Sequence, residues 1–124
     1  MKILPKHIGF ILDGNRRWAT ARDLPTVEGH RQGFDVLKKV TKHAFEQGVS
    51  YVSAFVFSTE NWSRTKDEVD YLMNLGLKVA TKDVKELISQ NIKIVVFGAE
   101  EKVPHKLMKA LRKVESDSAN NTGG

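Results

Sequence analysis

Three short segments of the chain are apolar at almost every position, and this feature constrains the fold more than any other. They are HIGFIL at 7–12, YVSAFVFS at 51–58 and IKIVVF at 92–97. A strand with one face in water alternates apolar and polar residues, whereas a strand of a parallel sheet covered on both faces is apolar throughout. The three segments therefore predict parallel strands between layers of helix.

Helical patterns separate these segments. Apolar residues recur at helical spacing over 30–47 and over 104–117, where Pro104 suits the first turn. The longest pattern, 66–90, is apolar on more than one side, and Gly76 is the expected position of a bend. This alternation predicts an α/β fold: a parallel sheet, with three strands in this chain, flanked by helices and joined by right-handed crossovers.

The length and the last residues bear on domain organisation. A chain of 124 residues suits one compact domain, 1–124. A parallel sheet of three strands is thin, however, and its edge strands need cover. The final SANNTGG is typical of a turn that leads into another element, or alternatively of a frayed tail. We expect a single α/β domain that is incomplete as a fold.

The composition excludes several classes of function. No segment approaches the roughly 20 apolar residues that span a bilayer, and MKILPKHIGFIL lacks the cleavage site of a signal peptide. The absence of cysteine excludes disulfides and thiolate chemistry and favours a cytoplasmic protein. The net charge of +5 favours an anionic ligand, but the lysines are dispersed over helices without interleaved aromatic residues. We therefore expect no nucleic-acid partner.

Two polar loops follow the first two predicted strands. DGNRRW occupies 13–18 and STENWSR occupies 58–64. The carboxyl ends of parallel strands meet at one edge of the sheet, which is where open α/β proteins bind ligands. Both loops combine charged, amide and indole groups, so they predict one shared binding site.

The first loop combines one carboxylate with two arginines. Arg17 can donate bidentate hydrogen bonds to a phosphate, and a helix that begins near Arg16, capped by Asp13 or Asn15, presents free N–H groups to an anion. Asp13 would repel that anion unless a divalent cation lies between them, and Mg²⁺ binds carboxylates together with phosphate oxygens. A metal-bound diphosphate suits all these groups. The alternative is an Asp13 that only caps the helix and pairs with Arg17.

His30 and the second loop add polar groups whose roles the residues alone leave open. His30 can bind a phosphate, cap its helix or lie in solvent. Trp62 can form a wall of the site or a lid on the core. The other side chains of the loop can bind a ligand or form an ordinary turn; they include Ser58, Thr59, Asn61 and Arg64.

Taken together, the motifs resemble a known family. HIGFILDGNRRWA, GHRQG, FSTENWSR and NNTG, which extend from about residue 6 to residue 123, are similar to the cis-prenyltransferases, whose bacterial members are undecaprenyl diphosphate synthases. The resemblance implies an enzyme that condenses isopentenyl diphosphate onto an allylic diphosphate such as farnesyl diphosphate, with Mg²⁺ as the cofactor. It also implies a homodimer and peripheral membrane contact through the lipid product.

The resemblance implies a role for each matching residue. Asp13 corresponds to the aspartate that acts with Mg²⁺ on the diphosphate leaving group, and Asn61 to the asparagine that assists proton removal. The other matches imply substrate-binding residues: Gly14, Asn15, Arg16, Arg17, Trp18, His30, Ser58, Thr59, Glu60, Trp62 and Arg64. The multi-sided helix 66–90 is expected to flank a hydrophobic product tunnel.

Two features depart from the family pattern. Thr26 stands where many members have an arginine, a change expected to weaken diphosphate binding. The family also continues past NNTG with further strands, a dimer interface, and a basic motif and glutamate that hold isopentenyl diphosphate and complete the metal site. We therefore expect the N-terminal portion of such an enzyme, inactive or impaired by itself. The alternative is a non-catalytic or prenyl-diphosphate-binding subunit that needs a second chain.

Overall fold

A computed structural model describes residues 3–124, and the side chain of Thr59 lies outside the described part. The elements in chain order are β1 (His7–Ile11), α1 (Asn15–Thr20), α2 (Thr26–Glu46), β2 (Tyr51–Phe55), a 3₁₀ turn (Thr59–Ser63), α3 (Lys66–Lys78), a π-helical turn (Val79–Asp83), α4 (Val84–Ser89) and α5 (His105–Ser118). The chain divides into two compact units, 1–72 and 73–124. The single domain inferred from the length stays a prediction.

The first unit is built on two parallel strands. β1 and β2 pair in register, from His7 opposite Tyr51 to Ile11 opposite Phe55. The helices between them supply the crossover that parallel strands require. The parallel pairing of the first two apolar segments is confirmed, and each strand ends earlier than its apolar run. The expected cover on both faces is not found, because Ile11 is 80% exposed and Phe55 58% exposed.

Two glycines on α2 let α1 pack closely against it. A Cβ at Gly29 would lie 2.1 Å from the backbone oxygen of Asn15, and one at Gly33 would lie 2.3 Å from the Asn15 side-chain nitrogen. Ala19 of α1 is fully buried in this unit. α2 begins at Thr26, before the predicted start at residue 30, directly after Pro25 in an extended conformation. Glycines one helical turn apart therefore allow the first residue of α1 to lie directly against α2.

The predicted third strand at 92–97 is wrong. In the described residues the sheet has two strands, and this segment pairs with neither. Its backbone donors are satisfied within the second unit instead: Ile94 N–H donates to Ser118 Oγ (2.9 Å) and Val96 N–H to a Glu115 carboxylate oxygen (3.1 Å). The composition of the segment favours a strand, but the groups that accept its N–H bonds decide its structure.

The predicted helix 66–90 is helical from Lys66 to Ser89 but not uniform. Its irregularity is the π-helical turn Val79–Asp83, which begins shortly after Gly76. The bend at Gly76 stays a prediction. Within this turn the Thr81 hydroxyl donates to the Leu77 carbonyl (2.7 Å), a bond that competes with regular helix geometry. Gly76 serves packing, since a Cβ there would lie 3.5 Å from Leu107 of α5.

The predicted helix over 104–117 is confirmed as α5, with Pro104 as the residue immediately before it. Among residues 3–124, no helix combines the length and the hydropathy that crossing a membrane requires.

Candidate functional site

The turn after β1 depends on one glycine. Gly14 adopts φ 80°, a left-handed conformation that glycine takes without steric cost, and its N–H donates to Asp13 Oδ1 (2.7 Å). Gly14 is also the residue that precedes α1, and no side chain caps this helix. The predicted cap by Asp13 or Asn15 is therefore wrong. Because α1 has only six residues, the positive charge in this part of the unit comes mainly from side chains.

Asp13 lies at the surface beside Arg17. One Asp13 carboxylate oxygen is 3.5 Å from Arg17 Nη2, and the two side chains are 82% and 80% exposed. An exposed ion pair of this kind contributes roughly 0–1 kcal/mol to stability. This ion pair is one part of the alternative interpretation, in which Asp13 only caps the helix and pairs with Arg17. The other part, the helix cap, is not found. At this exposure the carboxylate is accessible to a cation, and its role towards Mg²⁺ stays a prediction.

Behind this surface, three predicted ligand-binding side chains converge on one buried carboxylate. Arg16 Nη2 lies 3.1 and 2.9 Å from the two Glu68 carboxylate oxygens, Arg64 Nη1 lies 2.7 Å from Oε1, and His30 Nε2 lies 2.8 Å from Oε1. His30 and Glu68 are each 8% exposed. We call Arg16, His30, Arg64 and Glu68 the cationic cluster. It joins α1, α2 and the start of α3 in the first unit.

The cationic cluster determines the charge state of Glu68. Burial raises the pKa of the Glu68 carboxyl, but hydrogen bonds from His30, Arg64 and Arg16 outweigh burial and hold the pKa below its ordinary value. The carboxylate is thus ionised at neutral pH, so His30 Nε2 carries the proton of their hydrogen bond. With Glu68 at −1 and two guanidinium groups, the cluster keeps a net positive charge. This charge suits an anionic ligand.

Sequence analysis missed Glu68. Two local signals were available: Thr65 and Glu68 have the spacing of a capping box, and Arg64 and Glu68 have that of a helical ion pair. One half of the capping box and the ion pair are found, because Glu68 N–H donates to Thr65 Oγ1 (3.3 Å) and Arg64 pairs with Glu68. Each signal suggests only a local helix contact. The contacts from Arg16 and His30 depend on how α1 and α2 pack.

A cavity of about 330 Å³ lies between β1, α1 and α2. This volume is within the range of small-molecule sites. Asp13, Asn15 and Gln32 supply its polar groups. The rest of its lining is apolar or glycine: Phe10, Ile11, Leu12, Trp18, Gly33, Val36, Leu37 and Val40.

Two further observations define this cavity. The Arg22 guanidinium lies 4.4 Å from the centre of the Trp18 ring, and this contact restrains Trp18, which lines the cavity. Sequence analysis did not single out Arg22. The described lining contains no residue of 66–90, so the role of that helix beside a product tunnel stays a prediction. Because Asn15 lines the cavity and Arg16 follows it in the chain, the apolar cavity and the cationic cluster are adjacent.

The second loop is largely occupied with its own turn. The Asn61 side-chain oxygen accepts a hydrogen bond from Ser58 N–H (2.8 Å), and the Trp62 ring meets the edge of Phe57 at 4.7 Å between ring centres. Glu60 is exposed. In the described part of this loop, Arg64 alone reaches the cationic cluster. Thr59 lies outside the described side chains, and the predicted roles of Ser58, Glu60, Asn61 and Trp62 stay predictions.

Comparison with known proteins places these features in a family. A family model for undecaprenyl diphosphate synthases matches residues 11–124. The chain belongs to this prenyltransferase family. Among curated relatives, an isoprenyl transferase of Neisseria meningitidis serogroup A is 43% identical over 120 residues, which are 97% of this chain and 48% of the relative. One of Listeria monocytogenes serotype 4b is also 43% identical, over the same shares of the two chains. The chain thus spans about half the length of the curated relatives it matches.

Solved structures agree with the family assignment. Lavandulyl diphosphate synthase from Lavandula x intermedia, crystallised with dimethylallyl diphosphate, superposes with a TM-score of 0.91 at 33% identity, over 94% of this chain and 50% of that chain. A probable undecaprenyl diphosphate synthase from Campylobacter jejuni gives a TM-score of 0.74 at 24% identity, over 99% and 52%, which supports the fold. Since these relatives are named as transferases and synthases, the comparisons favour an enzyme family over a non-catalytic partner.

The prenyltransferase fold raises the question of how a metal ion would be held. Within residues 3–124, no group of three or more His, Cys, Asp or Glu side chains forms a metal cage. Mg²⁺ does not need one, because it binds one or two carboxylates together with substrate phosphates and waters. The exposed Asp13 carboxylate beside the cavity fits that shared mode.

Proposed function

We propose that this prenyltransferase condenses isopentenyl diphosphate onto an allylic diphosphate such as farnesyl diphosphate, and that this chain provides the site for the allylic substrate. One observation carries the proposal: a cationic cluster of Arg16, His30 and Arg64 on Glu68 adjoins an apolar cavity with a carboxylate at its edge. A diphosphate with an isoprenoid tail has the matching chemistry at each end.

Each group in the site has a distinct task in this reaction. The cationic cluster holds the diphosphate by charge-assisted hydrogen bonds, and Trp18 and α2 enclose the tail and exclude water. In the condensation the allylic carbon–oxygen bond breaks, a carbon–carbon bond to isopentenyl diphosphate forms, and a proton leaves; Asn61 is the proposed aid to that proton loss. Asp13 would hold Mg²⁺, which when bound offsets the charge of the departing diphosphate.

This chain spans about half the length of its curated relatives, and that bears on which substrates it can bind by itself. The family resemblance assigns the isopentenyl diphosphate site and part of the metal site to the half that relatives have beyond this chain. Holding the second substrate near the first accounts for roughly 7–11 kcal/mol of a barrier in well-oriented reactions. We therefore expect the 124-residue chain to bind the allylic diphosphate without elongating it.

Calorimetric titration tests the binding part of this proposal. Farnesyl diphosphate should bind more tightly than inorganic pyrophosphate, which lacks the tail, and than farnesol, which lacks the head. Arg64→Ala should weaken farnesyl diphosphate by about ten- to a hundredfold, because hydrogen bonds to charged groups are worth about 1.5–3 kcal/mol. Arg31→Ala is the matched control, since Arg31 on α2 is exposed and pairs with Glu28. An equal loss of affinity in Arg64→Ala and Arg31→Ala would contradict the proposal. So would a farnesyl diphosphate affinity no higher than that of pyrophosphate or farnesol.

Elongation tests the other part. The chain is incubated with farnesyl diphosphate, radiolabelled isopentenyl diphosphate and Mg²⁺, and labelled lipid is extracted. We expect no labelled long-chain product from the chain by itself. Labelled product without a second polypeptide would show that these residues already hold both substrates.

A further inference from the structure

Glu68 is unusual for an acidic residue in the first turn of a helix. Acids at this position ordinarily interact with the free N–H groups of the helix and with solvent. Glu68 is 8% exposed, and its carboxylate contacts the side chains of Arg16, His30 and Arg64. Its side chain is therefore committed to tertiary contacts.

The three partners come from different elements. Arg16 lies on α1, His30 on α2 and Arg64 just before α3. Arg64 and His30 share one carboxylate oxygen, and their own nitrogens are 3.3 Å apart. Arg16 contacts both oxygens. Two guanidinium groups this close to one centre repel each other unless an anion lies between them. Glu68 supplies that anion from within the protein.

The same contacts leave donors for a ligand. Among the described hydrogen bonds, Arg16 uses Nη2 and Arg64 uses the N–H groups of Nη1. Each planar guanidinium has five donors in a fixed fork, so holding one nitrogen orients the others. The Arg16 and Arg64 side chains remain 57% and 31% exposed, whereas Glu68 is buried beneath them. Glu68 thus restrains both arginines without filling the exposed side of the cluster.

We propose that Glu68 is a positioning residue that holds Arg16, His30 and Arg64 at one spacing and so preorganises the anion site. The proposal rests on the proposed function, which assigns that site to a diphosphate. Two effects of removing the Glu68 charge oppose each other. The cluster becomes more positive, which attracts an anion, but the arginines separate and lose their common orientation. Positioning is the larger effect, so neutralising Glu68 weakens anion binding.

The test uses Glu68→Gln and Glu68→Asp in the full chain, with inorganic pyrophosphate and farnesyl diphosphate as the two ligands for calorimetry. Glu68→Gln should weaken pyrophosphate binding by about ten- to a hundredfold, the scale of losing one hydrogen bond to a charged group. Glu68→Asp keeps the charge and should recover part of this loss. Glu28→Gln is the matched control, because Glu28 pairs with Arg31 on α2 outside the cluster. It should bind as the wild type does.

A second readout separates positioning from stability alone. Both tryptophans, Trp18 and Trp62, lie in the first unit, so urea unfolding followed by their fluorescence gives the folded fraction of each variant. The loss of affinity should persist after correction for that fraction. In nuclear magnetic resonance spectra, the arginine Nε–Hε signals that shift with pyrophosphate should broaden in Glu68→Gln and be restored in Glu68→Asp. If the Gln variant does not fold, the Asp variant carries the same comparison.

The outcomes are distinct. Unchanged or tighter pyrophosphate binding by folded Glu68→Gln overturns the positioning role. A wild-type chain that binds pyrophosphate no more weakly than farnesyl diphosphate contradicts the proposed allylic substrate but leaves the positioning comparison intact. Weaker binding by the Gln variant, with recovery in the Asp variant, supports both the site and its support by Glu68.

Discussion

Replacing Gly29 with alanine should displace α1 and with it the anion site. A Cβ at Gly29 would lie 2.1 Å from the Asn15 backbone oxygen and 2.8 Å from its carbonyl carbon. To restore an ordinary contact of 3.4 Å, the oxygen would have to move by about 1.3 Å. The obstacle is backbone, so no change of side-chain rotamer relieves it. Arg16, the next residue along the chain, would move as well.

Two magnitudes follow from that displacement. Overpacking of this kind costs roughly 1–3 kcal/mol, which exceeds the gain of up to about 1 kcal/mol from placing alanine instead of glycine in a helix. Loss of one hydrogen bond between Arg16 and a bound anion would lower the affinity by about ten- to a hundredfold, because hydrogen bonds to charged groups are worth about 1.5–3 kcal/mol. Urea unfolding followed by tryptophan fluorescence measures the loss of stability. Titration of the folded protein with pyrophosphate measures the loss of affinity.

Two other glycines provide matched controls. The three atoms nearest to a Cβ at Gly33 all belong to the Asn15 side chain, at 2.3 to 2.6 Å, and this side chain can rotate away. Gly33→Ala should therefore disturb α1 less. Gly9→Ala, in β1, meets nothing within 4 Å and should leave both measurements near the wild-type values. If Gly29→Ala is as stable as Gly9→Ala and binds pyrophosphate as tightly, the close contact between α1 and α2 does not position the site.

Four further predictions concern the charge, stability and specificity of the chain. Asp13→Ala should abolish the tightening of farnesyl diphosphate binding by Mg²⁺ in calorimetry without changing the urea midpoint, because the side chain is 82% exposed; a large fall in the midpoint would instead indicate a structural role. The pKa of Glu68 is depressed in the folded state, so its contribution to stability is present above the ordinary carboxyl pKa and is lost as pH falls through the depressed value. The urea midpoint should therefore fall more steeply in acid for the wild type than for Glu68→Gln, and parallel curves would refute this. Ser118→Ala removes the acceptor of the Ile94 N–H and should lower the free energy of unfolding by about 1–3 kcal/mol. Hydrogen exchange at the Ile94 amide should become faster, and unchanged exchange would contradict this prediction. Fluorescence anisotropy should find weak binding to a DNA oligonucleotide that disappears at modest salt, because dispersed lysines act through counterion release; sequence-selective binding at physiological salt would overturn this.

The parts of the fold that local sequence determines were predictable. The first two apolar runs become paired parallel strands, and the helices over Thr26–Glu46 and His105–Ser118 follow their apolar periodicity. The run at 92–97 has the same composition but a different outcome. Its N–H groups donate to the side chains of Ser118 and Glu115 on α5 and to the Gly124 oxygen. No local sequence pattern indicates those acceptors.

The candidate site shows the same division. DGNRRW was expected to bind an anion because the end of a strand in an α/β fold is a known ligand position, and the family resemblance added His30. Their roles towards a ligand stay predictions. Glu68 was not found, since its sequence context suggests a helix cap and its tertiary partners are set by the packing of Gly29 and Gly33. The turn of the second loop, with Asn61 bonded to Ser58, likewise depends on geometry that residue types do not specify.

A crystal structure of the chain with dimethylallyl diphosphate and Mg²⁺ would show where the allylic substrate binds. We predict the diphosphate within hydrogen-bond distance of Arg16, His30 and Arg64, the isoprenoid tail in the cavity beside Trp18, and Glu68 still bound to both arginines. A ligand seated elsewhere, such as on the lysines of α5, or a diphosphate that displaces Glu68 from the arginines, would contradict this prediction.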